Sequence, residues 1–157
     1  MPDDAPKPKR PPVSDATLRG LVGYNMKRAF MVIGADLART LEPFELRMLT
    51  FSALTLVADN PGLSQSQLAE AIQMERPNLV VIVDELEARG LITRDRVPTD
   101  RRTYALRITA AGARLLARAT GAVRDHERQL MGGLSAADAA ALIAKLNLIE
   151  TSGPGRR

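Results

Sequence analysis

Residues 64–109 read SQSQLAEAIQMERPNLVVIVDELEARGLITRDRVPTDRRTYALRIT. Ser64 and Gln67 have the S-x-x-Q spacing in which a hydroxyl and an amide satisfy each other's backbone groups, so a short helix opens here with Leu68, Ala69 and Ile72 inward. A second helix is predicted from about 76 to 89. Proline is tolerated only in a first helical turn, which puts Pro77 at its start, and Gly90 supplies the stop. Two short helices separated by a tight break form a helix-turn-helix. Residues 91–94 and 104–108 are short β-prone runs, joined by the polar loop 95–102, and read as a two-stranded hairpin with a basic tip.

A helix-turn-helix followed at once by a hairpin is a winged helix-turn-helix. The helix over 76–89 has the length for a DNA major groove, and the hairpin can reach the neighbouring backbone or minor groove. Residues 94–107 carry five arginines (94, 96, 101, 102, 107) against Asp95 and Asp100, a local charge of +3. A planar guanidinium suits a narrow minor groove, where negative potential is focused.

Working outward, residues 16–41 carry Leu18, Val22, Met26, Ala29, Ile33, Leu37 and Leu41 every three or four positions, which predicts one long amphipathic helix. Beside that stripe run Gly20, Gly23, Lys27, Met31, Gly34 and Ala38. A helix that is apolar or small over most of its circumference needs cover on several sides, from its own body and from a partner chain. Pro43 fits the first turn of a second helix, which ends at the turn cluster Asp59-Asn60-Pro61-Gly62. After Thr109 a fifth helix carries Leu115, Leu116, Ala119 and Val123 towards Leu130, and Gly132-Gly133 breaks it. Ser135 then caps a sixth, with Asp138 at its third position and a stripe of Leu142, Leu146 and Ile149. The fold class is thus mainly α with a small β-hairpin wing, six helices with the hairpin between the fourth and fifth. One domain is expected over 16–151, between a proline-rich tail at 1–15 and a second tail at 152–157.

Composition closes off several chemistries. The chain has 157 residues and no Cys, which removes thiol nucleophiles, thiolate metal sites and thiol redox sensing. Its one histidine, His126, sits in the polar run 124–128 and is read as solvated or ion-paired, so neither a catalytic residue nor a metal site is expected. There is no G-x-S-x-G, no phosphate-cradling glycine loop and no H-E-x-x-H, and the chain is read as a non-enzyme with no cofactor. Met26, Met31, Met48 and Met74 are expected as core. Five aromatic residues argue against a base-stacking platform for single strands. With no apolar run of membrane-spanning length and no signal sequence, the expected location is the cytoplasm. The net charge of +4 is weak evidence for nucleic acid: over 64–107, seven basic residues (76, 89, 94, 96, 101, 102, 107) balance seven acidic ones (70, 75, 84, 85, 87, 95, 100).

The runs Leu86-Glu87-Ala88-Arg89-Gly90-Leu91-Ile92, Asp100-Arg101-Arg102 and Leu106-Arg107-Ile108-Thr109-Ala110-Ala111-Gly112 resemble the MarR family of winged-helix transcription regulators. The family pattern is LExxGLI, then DRR, then a strand ending in LTxxG, from which only Ile108 departs. The resemblance implies a homodimer on a pseudo-palindromic double-stranded DNA operator, with 64–109 as the DNA lobe and 16–41 and 110–151 as the dimerisation region. It implies that Asp100 supports the wing by pairing with its arginines and that Arg102, with Arg101 beside it, enters the minor groove. Arg94 and Arg96 add to the wing's DNA contacts. Arg76, Pro77, Asn78 and Val80 fall where relatives touch bases and phosphates, and Ser64, Gln65 and Ser66 where phosphate contacts are expected. Val81 stands where relatives often carry a polar or basic residue; a valine there can only pack against a thymine methyl or lose the contact.

Without cysteine, any signal must be a bound molecule. The family's usual effectors are small aromatic or phenolic carboxylates, and in some relatives aromatic acyl-CoA thioesters, which release a repressor from DNA. The small-residue stripe makes Gly23, Tyr24, Lys27, Arg28 and Met31 the candidate effector site. The alternative is an effector-independent winged-helix DNA-binding or architectural protein.

Overall fold

The helix expected over 16–41 is interrupted at Gly20-Leu21, giving α1 (Ala16–Arg19) and α2 (Val22–Leu41). The Asn25 side-chain amide donates to the Arg19 and Leu21 carbonyls, both at 2.8 Å, and so bridges the break. Leu18, Val22 and Met26 keep helical spacing across the break, which is why the pattern does not reveal it. In this computed structural model the described residues are 13–97 and 100–152, with backbone alone at 97 and 100–103. Most of the two expected tails lies outside them. The chain divides into two compact units, Met1–Gly34 and Ala35–Arg157, at a boundary inside α2.

Pro43 opens no α-helix. It lies in a 3-10 turn, Glu42–Phe44, that ends at Glu45 with φ +52°. A left-handed residue stops helical propagation, so α3 begins only at Met48 and runs to Asp59, with the Thr50 hydroxyl accepting from the Arg47 amide at 2.8 Å. Then come β1 (Leu63–Ser64), α4 (Gln65–Ile72), α5 (Arg76–Ala88), β2 (Ile92–Val97), β3 (Asp100–Ile108), α6 (Ala110–Leu130) and α7 (Ala136–Ser152).

The hairpin is part of a three-stranded antiparallel sheet ordered β1-β3-β2, with Leu63 opposite Leu106 and Ile92 opposite Ile108. Two corrections follow. A third strand, β1, of two residues is too short for an alternating pattern to show. Most of the loop expected over 95–102 is strand, because β2 and β3 pair outward as far as Val97 and Asp100.

The main core of the second unit joins α3, α4, α5 and the sheet through Leu54, Val57, Leu68, Leu79, Val83, Leu86, Ile92 and Leu106, all at most 1% exposed. A smaller cluster of Leu41, Leu46 and Ala119, with Leu37, Phe51 and Val123 against it, packs the end of α2 onto α3 and α6.

The joint between the winged lobe and α6 is built from the first and last of the quoted sequence runs. Gly90 stands at φ +67°. The Thr109 hydroxyl donates to the Gly90 carbonyl at 2.7 Å and accepts from the Gly112 amide at 3.0 Å, capping α6. A Cβ on Gly112 would stand 2.1 Å from the Leu91 carbonyl oxygen, so only glycine allows α6 this close to the start of the wing.

Met26, Met31 and Met48, expected in the core, are 40%, 63% and 41% exposed, because they fall on helix faces that this chain leaves open.

Candidate nucleic-acid interface

The capping box predicted at the start of α4 is present: Ser64 Oγ accepts from the Gln67 amide at 3.2 Å, and Gln67 Oε1 accepts from the Ser64 amide at 3.0 Å. Ser64 accepts through its oxygen and keeps its hydroxyl proton. Ser64 and Gln65 are half-buried and Ser66 is exposed. Gln73, at φ +57°, turns the chain out of α4 and towards α5.

On α5 the inward side is Leu79, Ile82, Val83 and Leu86. Arg76, Pro77 and Asn78 are exposed at the N-terminus, Val80 is 40% exposed and Val81 64%. Pro77 lies in the first turn, where its missing N–H costs no helical bond. The four residues expected to contact DNA therefore share the exposed first turns of a helix whose opposite side is fixed in the core.

The wing arginines divide by what they touch. Arg94, expected as a DNA contact, turns back: it pairs with Asp84, and its Nε lies 3.2 Å from Glu87, with the side chain 21% exposed. It ties β2 to α5 and offsets one of the two negative charges that Asp84 and Glu87 place on that helix. Arg47, at the start of α3, does the same for Glu85. Arg107 pairs with Asp95 across the hairpin at 3.0 Å. Arg96 is exposed. Asp100, Arg101 and Arg102 lie on the β3 backbone, and their side chains are outside the described residues. Sequence reasoning missed these pairings because composition counts an arginine without saying which acid faces it.

In the first unit, the Tyr24 hydroxyl donates to Asp15 Oδ2 at 2.8 Å, and Arg19 bonds the same oxygen at 2.9 Å. The Tyr24 bond, with Arg19 adding to it, holds the Asp15 carboxyl below its ordinary range, and the same bond raises the tyrosine. Tyr24 thus ties the N-terminal segment to α2, while Gly23, Lys27, Arg28 and Met31 are exposed. None of these five lines either of two clefts in the second unit. One, about 390 Å³, is lined by Ala58, Ile108, Ala113, Leu116, Ala117, Thr120, Gly121 and Arg124. The other, about 460 Å³, lies among Glu45, Arg89, Leu91, Ala111, Arg114, Leu115 and Arg118. Arg89 is partly committed there, donating to the Glu45 and Phe44 carbonyls at 2.6 and 3.0 Å.

His126 is largely buried rather than solvated, with Nδ1 3.6 Å from Asp36 Oδ2 and the side chain 12% exposed. Among the described residues, no group of three His, Asp or Glu could hold a metal ion, and no helix is long and apolar enough to cross a membrane.

The MarR family model matches residues 46–103. A protein of Thauera aromatica, described as a transcriptional regulatory protein for the hcr operon, is 37% identical over 131 residues, 83% of this chain and 79% of its own. The transcriptional repressor CouR bound to a 23-mer DNA duplex superposes with a TM-score of 0.85 at 36% identity, over 89% of this chain and 99% of that one. CouR bound to p-coumaroyl-CoA superposes at 0.79 with 34% identity, over 90% of this chain and 100% of that one. These relatives are transcription regulators and not enzymes, they share both the lobe and the helices around it, and the chain belongs to the MarR family.

Proposed function

We propose that this chain is a homodimeric repressor that reads a pseudo-palindromic operator with α5 and the wing, and is released by an aromatic acid or its CoA thioester. The observation that carries the reading is the face of α5: Arg76, Asn78 and Val80 are exposed on a helix whose other side is locked into the core. The relatives add the class of partner, since CouR is seen both on DNA and with p-coumaroyl-CoA.

In this reading residues 64–109 are the DNA lobe and 16–41 and 110–151 the dimerisation region. Leu21, Val22, Phe30, Met31 and Val32 of the first unit, and Ile143, Leu148 and Ile149 of α7, are 48% to 65% exposed. So much open apolar surface fits cover by a second copy of the chain. The dimer would set two α5 helices about one helical turn of DNA apart, roughly 34–36 Å. Ser64, Gln65 and Ser66 would hold phosphates, Arg76 and Asn78 bond base edges, and Arg96, Arg101 and Arg102 follow the minor groove, with Asp100 supporting the wing.

The effector acts by favouring a dimer whose two helices no longer match the half-sites. The cleft beside α6 is lined by small and apolar residues, with Arg124 also on its wall, and suits a flat aromatic acyl group. The stripe of Gly23, Tyr24, Lys27, Arg28 and Met31 is the alternative candidate effector site.

The test is a gel shift on DNA upstream of the chain's own gene, with and without p-coumaroyl-CoA and free aromatic acids. A retarded band that random DNA does not compete away, and that one of these ligands dissolves, is expected. Equal binding to random DNA would defeat the regulator reading. Specific binding that no ligand changes would favour the effector-independent alternative.

A further inference from the structure

We propose that α5 reads thymine methyl groups through Val81, with Val80 at its side; this deepens the DNA-reading function above and rests on it. Val81 is 64% exposed and Val80 40%, while Leu79, Ile82, Val83 and Leu86 of the same helix are at most 6% exposed. At about 100° per residue, Val81 points away from that buried side, one turn along from Pro77. A β-branched residue is a below-average helix former, and at this exposure it gains little from burial within the chain. An isopropyl group has no donor and no acceptor. Of what a base pair offers in the major groove, namely donors, acceptors and the thymine methyl, it can pack only against the methyl.

The surroundings commit the valines to DNA. Arg76 and Asn78 flank them and supply the hydrogen bonding that valine lacks. Further along the helix, Glu85 pairs with Arg47 while Asp84 and Glu87 share Arg94, so the negative charge beyond the stripe is cut from three to one before DNA approaches. The operator half-site should therefore carry thymines beside the bases read by Arg76 and Asn78.

The experiment uses the full-length protein and the best-bound fragment selected from a random duplex pool, amplified with either dTTP or dUTP. Deoxyuridine keeps Watson–Crick pairing and removes only the methyl. Wild-type protein is expected to bind the uracil fragment about fourfold more weakly for each methyl contacted, the ratio equivalent to about 0.8 kcal/mol per buried methyl-sized group. Val81→Ser should bind the thymine fragment more weakly and lose most of the difference between fragments. Its thermal unfolding should match the wild type, since the site is exposed. Equal wild-type affinity for the two fragments would overturn the proposal, as would an undiminished difference in Val81→Ser, which would place the methyl effect in DNA shape. Failure to select any fragment over random DNA would instead defeat the regulator reading.

Discussion

Replacing Arg94 by alanine leaves Asp84 and Glu87 without their common partner on the outward half of α5. Asp84 is 57% exposed and Glu87 42%, so each pair is worth only about 0.2–1 kcal/mol, and the fold should lose about 0.5–2 kcal/mol. DNA binding is affected as well. The variant adds one net negative charge to this part of the helix, which about 10 Å from a phosphate costs about 0.4 kcal/mol in water, so affinity should fall about twofold with no phosphate contact removed. Fluorescence anisotropy across a salt series separates this from the wing-contact expectation. A lost phosphate contact lowers the slope of log K against log salt by about 0.9, whereas a lost clamp leaves the slope nearly unchanged. Asp84→Asn with Glu87→Gln in the Arg94→Ala background should restore affinity to at least that of wild type. A slope reduced by about 0.9, with no rescue in the triple variant, would refute the clamp.

Gly112→Ala sets a Cβ 2.1 Å from the Leu91 carbonyl oxygen and 2.9 Å from Ile108 Cγ1, and should cost about 2–4 kcal/mol in urea unfolding; an unchanged midpoint would contradict the joint. Asp138 accepts from the Ser135 hydroxyl and amide, which holds its carboxyl below the ordinary 3.8. The contribution of this cap is present above 3.8 and lost as pH falls through the lowered folded value, so an NMR titration should show Asp138 moving back towards 3.8 in Ser135→Ala. Arg102→Ala should weaken operator binding by about 1–3 kcal/mol and flatten its salt dependence, and unchanged affinity would remove Arg102 from the minor groove.

The parts legible in the sequence are those set by local chemistry. The Ser64–Gln67 box and the Ser135–Asp138 cap satisfy nearby backbone groups, and Pro77 in a first turn and Gly90 at positive φ suit the local backbone, so the residues announce the structure. Gly112 was visible only as part of a motif, and its reason, the approach of the Leu91 carbonyl, is a tertiary contact. The break at Gly20-Leu21 escaped because apolar spacing continues through it and the Asn25 side chain bridges it. The 3-10 turn at Pro43 escaped because a left-handed glutamate is not signalled by residue type. At the candidate site, the exposed residues of α5 follow from periodicity, whereas Arg94 does not: its partners lie ten and seven residues back, on another element.

The central claim is that this chain distinguishes one DNA sequence from others, and the ratio of its affinities for a selected operator and for random duplex at equal salt tests it most directly. The account predicts a ratio of at least about a thousandfold near physiological salt. A ratio near one, with both affinities collapsing together as salt rises, would contradict it.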